Sequence, residues 1–144
     1  MNNDLAKAKQ MLKTGSYTCA LVCENEFITS TKRGVLPLLE LYESGCDFSK
    51  FSAADKVIGN GAAWLYTMLK IKNIYAPVIS EQAKATLERY GVSLCYDLLV
   101  PAIQNHAKNG FCPVETAVKG CTTQEQAIAA IKTQLQKMGI LSAN

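Results

Sequence analysis

Apolar positions along this chain fall into two kinds of run: stripes spaced three and four residues apart, and short segments apolar on both sides. From Asp4 to Lys13, Leu5, Ala8, Met11 and Leu12 share one face and Gly15 supplies a stop, which predicts a short helix lying on a sheet. Tyr17 to Cys23 alternates, with Tyr17, Cys19, Leu21 and Cys23 on one side and Thr18, Ala20 and Val22 on the other. Both sets are mostly apolar, so a central strand is predicted. Glu24-Asn25-Glu26 then turns the chain into Phe27 to Thr29, completing a β-hairpin. A helix follows through Leu36, Leu38, Leu39, Leu41 and Tyr42, with Pro37 tolerated in its first turn.

The stretch from Phe51 to Glu81 organises the rest. Ser52 with Asp55 three residues on has the pattern of a helix cap, and the spacing predicts a helix from there to Lys70. Its apolar rows are Val57, Gly61, Trp64, Met68 and Ile58, Ala62, Leu65, Leu69, leaving Lys56, Asn60, Thr67 and Lys70 as a narrow polar edge; such a helix is largely buried. Asn73 to Ile79 predicts an internal strand. Ser80 caps a helix with Ala83, Leu87 and Tyr90 inward and Gly91 at its end, and Val92 to Tyr96 makes a further strand. Leu99 to Gly110 reads as a loop or short helix. Pro113 opens a short helix closed by Gly120, and Thr122 with Glu125 opens the last helix, whose apolar face is Ile128, Ile131, Leu135 and Met138. Strand, helix, strand, helix in this order calls for right-handed crossovers and parallel strands, an α/β fold. Two helix N-termini, near Ser52 and Ser80, then open at one edge of the sheet.

Length and composition narrow this further. The 144 residues suit a single domain, 1–144, and 49% apolar with 19% charged residues is ordinary for a globular protein. A net charge of +3, with scattered cations, does not make a nucleic-acid groove. No apolar run is long enough for a bilayer and the first residues lack a signal-peptide core, so no membrane partner and a cytoplasmic location are expected. The six cysteines include no C-x-x-C pair, and His106, in a polar and solvated run, is the single histidine, so no zinc site and no cofactor is expected. Cys19 and Cys23 share a face but stand about 13 Å apart at strand rise, too far for one metal or one disulfide.

Candidate chemistry gathers at the helix starts. Thr31-Lys32-Arg33-Gly34, hydroxyl, two cations and a glycine before a helix, has the composition of an anion site as well as of a solvated turn. Gly59 and Gly61, inside a predicted helix, answer to close packing first and to ligand room second. Cys112 precedes Pro113 at a helix N-cap, where the dipole favours a thiolate, with Glu115 one turn in. Asp55 and Lys56 form a second candidate pair, Asp55 assigned mainly to capping and Lys56 to the rim of the cleft.

Four strings, FITSTKRGVLPLLELYESG, FSAADKVIGNGAAWLY, YAPVISEQA and GFCPVETAVKG, resemble an uncharacterised bacterial and archaeal domain family placed by fold with the cytidine deaminases, over about residues 10–137. The resemblance implies a three-layer α/β/α sandwich, cytidine deaminase-like, with a mixed sheet of strand order 2-1-3-4 and an antiparallel outer hairpin strand. Working deaminases carry H-x-E and P-C-x-x-C at the two helix N-termini. Here those places read Ala53-Ala54-Asp55 and Ser80-Glu81-Gln82-Ala83, so zinc-dependent deamination is not expected; Asp55 and Glu81 suffice only for weak Mg²⁺ binding. The expected function is binding of a nucleotide- or nucleobase-like small molecule by Thr31, Lys32, Arg33, Gly34, Lys56, Gly59, Asn60, Ser80, Glu81, Glu115 and Thr116. The alternatives are a metal-independent enzyme using Cys112 with Asp55 and Lys56, and an oligomeric interaction module built as a homo-oligomer.

Overall fold

The computed structural model describes residues 3–32, 34–103 and 112–141. The chain runs α1 (Asn3–Thr14), β1 (Cys19–Cys23), β2 (Glu26–Ser30), α2 (Leu36–Glu43), β3 (Ser52–Asp55), β4 (Val57–Ile58), α3 (Asn60–Met68), β5 (Asn73–Ser80), α4 (Glu81–Arg89), β6 (Ser93–Val100), α5 (Pro113–Ala117) and α6 (Gln124–Lys137). β1 pairs antiparallel with β2 on one side and with β3 on the other. β3 and β4 both run parallel to β5 on the same flank, and β6 runs parallel to β5 on its far flank. The sheet is therefore mixed, with β2 and β6 at its edges.

The largest departure from the sequence reading lies at Ser52 to Ile58. These residues are two strands, not the first turns of a helix, and Ser52 and Asp55 do not cap one. The helix starts at Asn60, after Gly59 in extended conformation. The physical reason is burial: Ser52, Ala53 and Ala54 lie between β1 and β5 and are nearly inaccessible, so the segment has no polar face to mark a period of two. Counting this segment moves the strand order from 2-1-3-4 to β2, β1, β3 with β4, β5, β6. β6 is also longer than the predicted Val92 to Tyr96, and the last helix is capped by Thr123, whose hydroxyl accepts from Gln126 N–H at 3.1 Å, rather than by Thr122.

β3 and β4 meet β5 in one register, Ser52 opposite Asn73 and Val57 opposite Val78, so they are halves of one strand broken at Lys56. The break stands across from Pro77, which has no N–H to give a ladder. Pairing to β6 likewise skips from Ala76 to Val78. Ile74, Ala76 and Ile79 nonetheless face one core, so the alternation slips by one residue as the chain passes Pro77.

Layers are unequal. Among the described residues α1 alone packs on one face, placing Leu5, Ala8 and Leu12 against Val22, Ala54 and Tyr75. The main core lies on the other face, where α3 is enclosed by α2, α4, α5 and α6. Even the polar edge expected on α3 is covered: Asn60 and Thr67 are each 6% exposed, and they bond to Thr86 of α4 and Gln124 of α6. Among the described residues no helix is long and apolar enough to cross a membrane.

Packing explains the glycines of α3. A Cβ on Gly61 would meet Val114 Cγ1 at 2.5 Å, with Val35 behind it. Gly61→Ala should therefore lower unfolding free energy by about 1–2 kcal/mol in urea titrations, the gain in helix propensity offsetting part of the clash. Combined with Val114→Ala, the loss should be smaller than the sum of the two single changes; strict additivity would contradict the contact.

Candidate functional site

The carboxyl ends of β4 and β5 deliver α3 and α4 to the same rim. At the α3 tip, Gly59 has φ −92° and ψ 176° and offers no side-chain cap. Its place is taken from another part of the chain: the N–H of Asn60 donates to the carboxylate of half-buried Glu115 in α5. A Cβ on Gly59 would lie 2.9 Å from the Glu115 carboxyl carbon, so only glycine lets that carboxylate in without displacing it. Asn60 is held from its other side, its Oδ1 accepting from Thr86 Oγ1 at 2.6 Å. An anion at a free helix N-terminus is favoured by the unpaired N–H groups and the helix dipole. At the neighbouring α4 tip, Ser80 is 1% exposed and its Oγ accepts from Ala83 N–H at 3.1 Å, as its sequence position predicts.

A second polar constellation lies where β3 ends. Cys19 stands opposite both Ser30 and Asp55, so the three form one row across β2, β1 and β3. Asp55 accepts from the Tyr66 hydroxyl at 2.7 Å and from the Val57 N–H. Burial outweighs both bonds and pushes its carboxyl up to about 7. Burial, with the negative charge of Asp55 beside it, also raises the Tyr66 hydroxyl well above its usual range and the Cys19 thiol to about 12. Cys19 therefore stays a thiol at neutral pH, and Asp55 is the group that titrates there.

Of the residues singled out in the sequence, the structure joins Gly59, Asn60 and Glu115, with Ser80 and Glu81 at the adjoining tip. Others it separates. Lys32 pairs with Glu40 of α2 at 3.4 Å, Thr31 is exposed, and Gly34 adopts φ +77° in the turn before α2; Arg33 and His106 lie outside the described residues. Lys56, at the strand break, is exposed and not in the first turn of a helix. Cys112 does precede α5, but that helix has five residues, and the backbone carbonyl of Cys112 accepts from Thr116 Oγ1 at 3.3 Å. Asp55 bonds to Tyr66 and Val57, not to Cys112 or Lys56, so the proposed catalytic trio is not one hydrogen-bonded group. Among the described residues no three His, Cys, Asp or Glu side chains converge as metal ligands.

Tyr66, Thr86 and Val114 were not singled out. A signal existed for Thr86, a hydroxyl between Ala83 and Leu87 on the buried stripe of α4. Tyr66 and Val114 carried none, since each reads as ordinary core until its distant partner is known.

These features define a mixed α/β domain with helices mainly on one face and a helix tip closed by an internal carboxylate. The protein-family model for TM1506, a domain of unknown function (DUF1893), matches residues 7–135, and the chain belongs to this family. The crystal structure of a DUF1893 family protein (TM1506) from Thermotoga maritima superposes with a TM-score of 0.80 at 26% identity, over 95% of this chain and 91% of that one. No curated protein matches the chain.

Asp55 gives a signed pH effect. Its native carboxyl, near 7, holds a proton that the unfolded chain releases near 4, so the native state binds more protons between these values. Its contribution is neutral below about pH 4, turns unfavourable as pH rises, and is fully unfavourable above about 7. Asp55→Asn should flatten this part of the stability profile and lose less, relative to wild type, at pH 8 than at pH 4. Urea unfolding at pH 4, 6 and 8 measures it; parallel profiles for the two proteins would contradict the assignment.

Proposed function

We propose that the domain binds a small anionic molecule, nucleotide- or nucleobase-like, at the rim shared by the tips of α3 and α4, on a scaffold of the cytidine deaminase kind without its metal chemistry. The observation that carries the reading is the Glu115 carboxylate received by Asn60 N–H beside Gly59. That position takes an oxyanion from across the chain, and a phosphate or carboxylate of a ligand replaces it when the Glu115 side chain rotates away. Support also comes from location: open α/β sheets bind ligands outside the carboxyl ends of parallel strands, where Asn60 and Ser80 stand. The strand path, with β3 and β4 counted together, supports the deaminase-like scaffold.

A second reading rests on Asp55. A carboxyl that titrates near neutrality beside a phenol is suited to proton transfer, and it favours an enzyme that needs no metal. Lys56, the next residue, is exposed at the same strand break and is the cation available to such a substrate.

Thermal-shift titration with nucleosides and with their mono-, di- and triphosphates tests the binding reading. Stabilisation of the order of 2–3 kcal/mol is expected at a hundredfold excess over Kd, for phosphorylated ligands only. Glu115→Gln, which removes the competing charge, should bind the same ligand several-fold more tightly. Absence of any shift at millimolar ligand in both proteins would overturn the reading.

A further inference from the structure

The amino ends of β3 and β5 lie at the edge of the sheet opposite the α3 and α4 tips, and there both α2 and α3 finish. After α2, α4, α5 and α6 the left-handed position that ends the helix is filled by glycine: Gly45, Gly91, Gly120 and Gly139. After α3 it is filled by Lys70, at φ +62°, whose N–H donates to Thr67 C=O at 3.1 Å. A side chain is strained in this conformation and glycine is not. The charge of Lys70 answers the negative end of the helix dipole, but a lysine anywhere in the last turn does so without left-handed backbone. Strain kept where glycine would serve points to a use for the side chain in that place.

Lys70 lines a cleft of ≈ 390 Å³ between the two helix ends. Phe48, Met68 and Leu69 give the cleft an apolar floor, and Tyr42, 38% exposed, adds an aromatic wall. Asp47 lines it as well, its Oδ1 accepting from Ser49 N–H at 2.9 Å. The Ser49 hydroxyl and N–H, and then the cations Lys50 and Lys70, hold the Asp47 carboxyl below its usual range, so it is charged at neutral pH. Lys70 is thus within electrostatic reach of Asp47, yet among the described residues neither forms an ion pair. The cleft presents a carboxylate and an ammonium, held apart, over apolar surface. The carbonyl ends of α2 and α3 add negative potential that favours a cation beside Asp47.

We propose that this cleft binds a small zwitterion with an apolar body, of the class of free apolar and aromatic amino acids. The ligand carboxylate meets Lys70, its ammonium meets Asp47 and the helix ends, and its side chain lies against Phe48 and Met68 beside Tyr42. A simple anion would leave Asp47 unpaired and a simple cation would leave Lys70 unpaired, whereas a zwitterion satisfies both. The volume stands at the low end of small-ligand sites, which suits a molecule of amino-acid size. This cleft is separate from the rim of α3 and α4 and does not depend on what binds there.

Two-dimensional NMR titration of the full chain with L-phenylalanine and L-leucine tests the assignment. Saturable shifts are expected at residues 45–49 and 68–70, with a dissociation constant of about 1 mM or below. Phenylalaninamide, which lacks the carboxylate, and phenylpropanoate, which lacks the ammonium, should each bind at least about tenfold more weakly. Lys70→Gly should weaken L-phenylalanine by a similar factor while raising the melting temperature by about 2–4 °C, because it relieves the backbone. Asp47→Asn should also weaken binding, and Lys70→Arg, which keeps the charge, should retain most of it. The proposal is overturned by any of four results: no shifts at about 10 mM amino acid, analogues that bind as well as L-phenylalanine, unaltered affinity in Lys70→Gly and Asp47→Asn, or a Lys70→Gly chain no more stable than wild type.

Discussion

The interaction on which the carboxyl edge of the sheet depends is the meeting of α5 with the start of α3. Gly59 and Gly61 leave two gaps in the surface of α3, and Glu115 and Val114 fill them. One contact is electrostatic, a carboxylate on a helix N-terminus, and the other is steric, a valine against a helix with no Cβ. Together they bind residues more than fifty positions apart in sequence and let α3 start without a capping side chain of its own. Asn60 can then turn its amide to Thr86, which ties the tip of α3 to α4.

A second constraint acts through the backbone. Pro77 sits in the middle of the central strand, where an N–H is normally needed, and the sheet adapts on both flanks. On one flank the strand divides into β3 and β4 at Lys56; on the other, Asp97 drops out of the ladder and its side chain engages Tyr75. The division leaves Asp55 as the last residue of β3, where its carboxyl meets Tyr66 in a poorly solvated place. A group of this kind costs stability at neutral pH, a cost that functional sites often carry.

Much of this was legible in the chain because local chemistry marked it. The hairpin turn, the Ser80 cap, Pro113 at the start of α5 and the division of β1 into two faces all depend on near neighbours. β3 was not legible because an alanine-rich strand buried on both sides satisfies a helical spacing equally well, and that error displaced one helix tip from Asn60 to Ser52. The glycines were read as sites of close packing before their neighbours were known, and Val114 and Glu115 supply those neighbours. What no local pattern could reveal were the distant partners: Tyr66, which meets Asp55, lies on a stripe that looks like plain core, and the hydroxyl of Thr86, though marked by its place on the buried stripe of α4, does not say that it meets Asn60.

The account turns on whether Glu115 holds the tip of α3 in solution. Amide hydrogen exchange at Asn60, followed by NMR in wild type and Glu115→Ala, addresses it directly. Exchange at Asn60 should quicken by roughly tenfold or more in the variant, while Ala63, bonded to Gly59 C=O at 2.9 Å, changes little. Equal rates at Asn60 in the two proteins would mean that the carboxylate does not close the helix, and the picture of an occupied anion position at this rim would fail.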